Sequence, residues 1–430
     1  MPHPDTIRLI LVIVSFVFLF GMVKRPFYGV ISYLIIMTVR PGIFYPVLGS
    51  LRIELLVGIL IIMVMLLNFG RLQRIGFSGN PINKWMFVLF GVMLISMVQA
   101  FNFQTSWDWM IEFSKVFIFF LMIVTLIDTQ KDVEVFLWIF GILTCFMAYD
   151  AIYNYTHGII VESSGGGRID YAVTSGGMGA GHVALANLTL QGMPFLWYVG
   201  VCNRKKILKL VGVILFLICL YGVIISGSRG GFVGLIGLFI CLTIFSKHKL
   251  LMIGLGILLV FSLPIITGAN YMDYMNKMLS FEILNADLSA GSRATGLRHG
   301  IEMLIKRPIL GVGPGCYPVA RKAWFGWGLW AHNHYGELMG DLGIIGTFVW
   351  FAFLYNYLRK SIQLRKLFQD ETPQTAILTA VMVSTIVRLI LGMGTHSVYI
   401  FFWYMVAGIV IVQARLLKDK NHQNIKDSNS

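Results

Sequence analysis

The chain has 430 residues, 57% of them hydrophobic and only 13% charged, with a mean hydropathy of +0.77. A soluble domain is roughly half apolar and about a quarter charged, so this balance excludes one and points to an integral membrane protein. The 34 Lys and Arg against 20 Asp and Glu give a formal charge of +14. The positive residues sit mainly in short connections between apolar runs, a membrane-surface pattern and not a nucleic-acid-binding one.

In chain order, apolar runs broken by Gly, Pro and charge clusters predict spans near 7–23, 27–39, 51–69, 85–100, 113–127 and 134–155. Others follow near 177–200, 207–225, 231–246, 249–267, 333–358, 374–394 and 397–414. That is an all-α polytopic membrane protein of about 12 or 13 transmembrane helices, the second of them short. Barrel strands would alternate apolar and polar residues, and these runs do not. The first run has no basic residues ahead of it and no small-residue cleavage site behind it, so it reads as a retained span. Of five cysteines, Cys145, Cys202, Cys219 and Cys241 lie in or beside apolar runs and only Cys316 lies in a hydrophilic stretch, which argues against a disulfide framework.

Charge sets the orientation. Lys24 and Arg25, then Arg71, Arg74 and Lys84, Arg204 to Lys206, Lys247 and Lys249, Arg359 to Lys366, and the tail 415–430 fall on alternate connections, which should be cytoplasmic. The connections 101–112, 157–176, 226–231, 268–330 and 394–397 then face outward. The longest of these, 268–330, interrupts an otherwise apolar chain and is expected to carry function.

Within it, Ser292 reads as the N-cap of a short amphipathic helix that ends at Pro308 and Gly311, with Leu297, Ile301, Leu304 and Ile305 on its apolar face. That helix should lie on the outer membrane surface, with Arg293 at its start and Arg298 on its polar side. Gly311-Val312-Gly313-Pro314-Gly315 lacks the Lys-Ser/Thr of a nucleotide loop, so it reads as a turn that shapes the site. Trp324, Phe325, Trp327 and Trp330 read first as interfacial anchors and second as sugar-stacking rings. Earlier in the chain, Arg229 stands between small residues at a span boundary, where neighbouring backbone N–H groups favour a phosphate and an unpaired charge is costly.

His332 opens the span after the long connection, and His334, Glu337 and Asp341 follow at spacings of three and four. Neutral imidazole accepts a proton near neutral pH, which makes His332 the candidate base. Two residues apart on a helix, His332 and His334 splay about 200° and share no ligand point, so no metal is expected. Arg321, Arg388 and His396 are further polar candidates, with Arg388 expected to be paired inside the bundle.

Ser226-Gly-Ser-Arg229-Gly-Gly, Gly291-Ser-Arg293, Lys306-Arg-Pro-Ile-Leu-Gly-Val-Gly-Pro-Gly315 and His332-Asn-His-Tyr-Gly-Glu-Leu-Met-Gly-Asp-Leu-Gly-Ile-Ile-Gly346 together resemble the O-antigen ligase and polymerase superfamily of bacterial envelopes. Lys24-Arg-Pro-Phe-Tyr-Gly and Arg40-Pro-Gly-Ile-Phe-Tyr-Pro are similar to a ligase-like branch associated with exopolysaccharide and exosortase systems. The resemblance implies a GT-C-like fold in the inner membrane. It also implies transfer of a glycan from undecaprenyl diphosphate to an acceptor hydroxyl at the periplasmic face, without a cofactor. The family's motif residues map onto Arg229 and Arg293 for the diphosphate and His332 for catalysis, with Arg298, His334, Glu337, Arg321, Arg388 and His396 in support. Lipid A core, a growing glycan, another lipid or a protein are all possible acceptors, so ligase and polymerase are not separated. A lipid-linked oligosaccharide flippase or another transporter is the rival, and predicts helices broken near mid-membrane.

Overall fold

The computed structural model describes residues 2–72, 80–158, 161–162, 169–170, 182–226, 228–246, 249–250, 252–257, 288–368 and 372–428. The helices are α1 (Pro4–Gly21), α2 (Phe27–Val39), α3 (Pro41–Phe44), α4 (Pro46–Ser50), α5 (Ile53–Leu67), α6 (Phe69–Leu72), α7 (Pro81–Val98), α8 (Phe103–Leu126) and α9 (Gln130–Thr156). They continue with α10 (His182–Phe195), which runs on as a π-helical turn (Leu196–Val201), then α11 (Lys206–Ile225), α12 (Arg229–Phe245), α13 (Leu288–Lys306), α14 (Tyr317–Phe325), α15 (His334–Leu367), α16 (Pro373–Gly392) and α17 (Phe402–Ser428). A two-residue antiparallel pair, Val161–Glu162 against Ile169–Asp170, is the only strand pairing among the described residues.

The protein is therefore all-α and polytopic. Among the described residues, seven helices are long and apolar enough to span a membrane, namely α1, α7, α8, α9, α11, α15 and α16. Phe27–Val39, Ile53–Leu67 and Gly230–Phe245 are shorter apolar helices. The span expected over 249–267 lies mostly outside the described residues. Residues 401–413 of the last hydrophobic stretch are buried all round, which makes α17 a central helix of the bundle.

Helix starts follow local chemistry. Thr129 and Asp132 form a reciprocal capping box on α9, and Asn102, Asn333 and Thr372 cap α8, α15 and α16 through their side chains. At one end of the bundle, Arg25 pairs with Asp132 at 2.5 Å, Arg71 with Asp128 at 3.0 Å, and Arg415 donates to the Val124 carbonyl at 2.5 Å. At the opposite end the 310–316 turn docks on the start of α8. There Phe101 N donates to Val312 O at 2.7 Å and Ser106 Oγ to Pro314 O at 2.9 Å.

Two features of that second end differ from the sequence expectation. The helix expected to start at Ser292 begins a turn earlier, at Leu288, so Ser292 lies inside it and is not its cap. Its protein-facing side is not the Leu/Ile stripe: Gly296, His299, Gly300 and Met303 are buried, while Ile301 and Ile305 are exposed. Gly296 and Gly300 cross Gly336 of α15 so closely that a Cβ at Gly336 would lie 2.8 Å from Gly296 O. Small residues four apart permit this backbone approach. The second feature is a break in α15 at Gly343, whose φ of 63° and ψ of −162° lie outside the helical region. The amides released there are met by the preceding turn, Ile344 N donating to Pro308 O at 2.8 Å and Ile345 N to Ile309 O at 3.3 Å.

Candidate functional site

The site is built around the 393–397 turn, between α16 and α17. Asn333 links it to α15: its side-chain oxygen accepts from Gly336 N at 2.9 Å while its Nδ2 donates to Met393 O at 3.2 Å. His332 does not open the helix, as its sequence position suggested. It precedes the Asn333 cap, held at a left-handed φ of 45° that histidine tolerates better than most residues. This turns its ring away from the helix and towards His396, with ring centroids 5.8 Å apart. His396 stacks on Trp330 at 5.0 Å and 15°, and Trp330 meets Trp109 of α8 edge to face at 5.1 Å.

Arg293 reaches the same turn from α13. A Cβ added to Gly394 would lie 3.6 Å from Arg293 Nε, so the absence of a side chain there leaves room for the guanidinium. Arg321 is buried behind His332 and acts as a backbone clamp. Its Nε donates to His299 Nδ1 at 3.0 Å, and its Nη1 donates to the carbonyls of Leu329 at 3.2 Å and Trp330 at 2.9 Å. Arg298 is on the surface, paired with Glu302 at 3.1 Å. Arg229 is the first residue of α12 after the Ser228 cap, and its side chain lies outside the described residues. Its helix packs on α16 through Gly234, where a Cβ would meet Leu391 Cδ2 at 2.6 Å. The first turns of α12 thus pack beside the end of α16.

The polar face of α15 fixes backbone. Glu337 Oε2 accepts from Ser397 N at 2.9 Å and Val398 N at 3.1 Å, and His334 Nδ1 bonds Ser397 Oγ at 2.9 Å. Asp341 accepts from Tyr317 N at 2.7 Å, Gly315 N at 3.0 Å and Tyr399 OH at 2.8 Å. Val312 N and Gly313 N donate to the carbonyls of Gly340 and Asp341, each at 2.9 Å. The amides of the glycine-rich turn are therefore already engaged and form no phosphate cradle. Its glycines are needed for shape: Gly311, Gly313 and Gly315 have φ of 68°, 100° and 69°, and a Cβ on Gly313 would lie 2.6 Å from that of Ala100.

Arg388 lies one turn below the end of α16, 1% exposed, with its guanidinium carbon 6.0 Å from the Trp403 ring centroid. Glu337 of α15 is the carboxylate whose charge acts on it, without a direct ion pair between the two among the described residues. Burial pushes the His332 imidazole below its ordinary value, and the charges of Arg293 and Arg321 push it the same way. Burial, with His332 and Arg388 adding to it, brings His396 down to about 4. Both rings are neutral at neutral pH, which suits a proton acceptor. No group of three or more His, Cys, Asp or Glu side chains able to hold a metal occurs among the described residues.

Residues 214–351 match the family model described as O-Antigen ligase. The chain carries an O-antigen ligase-like segment. No curated protein matches the chain. The O-antigen ligase-like segment contains Arg229, Arg293, Arg298, Arg321, His332, His334 and Glu337, whereas Arg388 and His396 lie beyond it. Sequence reasoning passed over Trp109 and Tyr399, which no local pattern marks. It also passed over the glycine crossing, which the four-residue spacings Gly296 to Gly300 and Gly336 to Gly340 do mark.

Proposed function

We propose that this O-antigen ligase-type membrane protein transfers a glycan from undecaprenyl diphosphate to an acceptor hydroxyl at the outer face of the inner membrane. The observation that carries the proposal is the meeting of Arg293 and His332, from separate elements, at the 393–397 turn. Glycosyl transfer expels a lipid diphosphate, and guanidinium groups stabilise its charge through bidentate, charge-assisted hydrogen bonds. Arg293 and Arg229 serve that purpose. Neutral His332 takes the acceptor's proton as its oxygen attacks the anomeric carbon, so direct displacement inverts that centre. The acceptor hydroxyl belongs to a lipid A core, a growing glycan, another lipid or a protein; ligase and polymerase share this chemistry.

The break at Gly343 favours a transporter, which uses interrupted helices near mid-membrane. Here its released amides are taken up by residues 308 and 309, and the polar groups collect at one end of the bundle. Both facts support the enzyme.

The test is transfer by the purified full-length protein from an undecaprenyl-diphosphate glycan to candidate acceptors, without ATP. Folded His332→Ala should lose roughly 10²–10⁴-fold in rate, the range for a general base. Undiminished transfer by folded His332→Ala and Arg293→Ala, or retention of anomeric configuration, would defeat the proposal.

A further inference from the structure

On the side of the bundle formed by α2, α5 and α8, charges stand where hydrocarbon is expected. α2 has 13 residues and α5 has 15, lengths of roughly 20 and 22 Å against about 30 Å of hydrocarbon. Both are anchored at the end remote from the candidate site, since Arg25 just before α2 pairs with Asp132 and Arg71 just after α5 pairs with Asp128. Their other ends therefore stop inside the apolar layer, where Arg40 follows α2 and Glu54 lies in the first turn of α5. Arg40 and Glu54 act on each other electrostatically, without a direct ion pair between them among the described residues. Midway along α8, Lys115 pairs with Glu112 at 2.5 Å, their side chains 36% and 53% exposed. Charged groups open to lipid are costly and call for a polar partner.

We propose that this region binds one phospholipid with a phosphoethanolamine headgroup, taken from the leaflet that the candidate site faces. Between the three helices lies a cleft of about 310 Å³, open where Leu55 and Ile59 are exposed. Gly58 and Ile62 of α5 line it further, with Tyr33 of α2 and Ile118 of α8, and Glu54 and Lys115 border it. Its walls are almost wholly apolar, as the start of an acyl chain requires, and the charges converge beside it. Arg40, Lys115 and Glu112 all act on Glu54, and Arg40, Glu54 and Glu112 all act on the Tyr33 phenol. Two cations and two carboxylates leave this cluster neutral, which complements a zwitterion and not an anionic lipid. Lys115 and Arg40 meet the phosphate, and Glu54 meets the ammonium. A primary ammonium offers N–H donors to a carboxylate. The trimethylammonium of a choline lipid offers none and calls for an aromatic cage, whereas Tyr33 is the one aromatic residue lining the cleft among the described residues. Lys115 and Trp109 are six residues apart, on different faces of α8, so the lipid site is separate from the candidate functional site and independent of the glycosyl-transfer reading.

The test is native mass spectrometry of the full-length protein titrated with phosphatidylethanolamine, phosphatidylcholine and phosphatidylglycerol of identical acyl chains. The first should bind as a single retained copy about tenfold more tightly than either of the others, as one charge-assisted hydrogen bond implies. Glu54→Gln should bring the ethanolamine and choline lipids to equal binding, because it removes the partner of the ammonium and leaves those of the phosphate. Lys115→Gln should weaken both alike. Gly58→Leu fills the cleft without touching a charge, a Cβ there lying 3.4 Å from Tyr33 Cε2, and should abolish retention of the ethanolamine lipid. Should Glu54→Gln fail to fold, wild-type binding of mono- and dimethylated ethanolamine lipids decides, and it should fall with each N–H donor lost. Equal binding of the three lipids by the wild type, the mark of a non-selective annulus, overturns the site. So does a preference for either of the other two, or an ethanolamine preference that survives in folded Glu54→Gln or Gly58→Leu.

Discussion

At the residue scale, the neutral state of His332 makes the chemistry pH-dependent in a definite direction. The base acts when deprotonated, and burial, Arg293 and Arg321 all hold its pKa below that of free imidazole, about 6.5. The acid limb of kcat/KM is therefore expected below that pH. Arg293→Gln removes one of the repelling charges, so its limb should move to higher pH, on top of any loss in donor binding. A limb above the free imidazole value, or one that moves down in Arg293→Gln, contradicts the assignment of His332 as base. The sequence made His332 and Arg293 legible because their motifs are local. It placed Glu337 and Asp341 on one helical face with His334, but spacing does not reveal which distant amides will claim the carboxylates. Those amides belong to Ser397, Val398, Gly315 and Tyr317.

At the scale of elements, α13 delivers Arg293 only because two glycines let it approach α15. A Cβ at Gly300 would overlap the backbone of Gly336, where no flexible side chain can yield. Gly300→Ala should therefore cost about 1–3 kcal/mol, as overpacking does, and lower transfer by shifting Arg293, readable as a lower melting temperature and a raised KM for donor. Unchanged stability would mean that the helices are not so close. The amphipathic pattern in 292–306 was legible and its handedness of use was not. In a membrane protein an apolar stripe suits lipid as well as protein, so the Leu/Ile face carries no information about which side packs inward. Here the small face packs and Ile305 is 72% exposed.

Across the whole molecule, the all-α polytopic class and the rough bounds of the described spans were legible because hydrocarbon thickness fixes helix length. Their arrangement was not, since most of the ties between them join residues far apart in sequence. One such tie lies in the first span: Arg8 bonds Asp150 of α9 at 3.3 Å, both 1% exposed, and Arg8 stacks over Phe44 at 3.6 Å. Arg8→Ala removes the guanidinium that Asp150 and Asp5 share and should destabilise the protein by about 3–5 kcal/mol, whereas Arg8→Met with Asp150→Leu should cost less and keep transfer activity. Thermal unfolding of the two variants side by side checks this; equal losses would show that the pair does not act as a unit. The break at Gly343 has a bearing on the entire bundle. It divides α15 into a long rod and a short platform of nine residues, His334 to Leu342, on which the 393–397 turn and the glycine-rich turn are mounted. Strain that the bilayer imposes on the rod, by thickness or tilt, meets a discontinuity before it reaches the platform. The groups proposed to react therefore stand on a segment jointed to the membrane-spanning rod, not continuous with it.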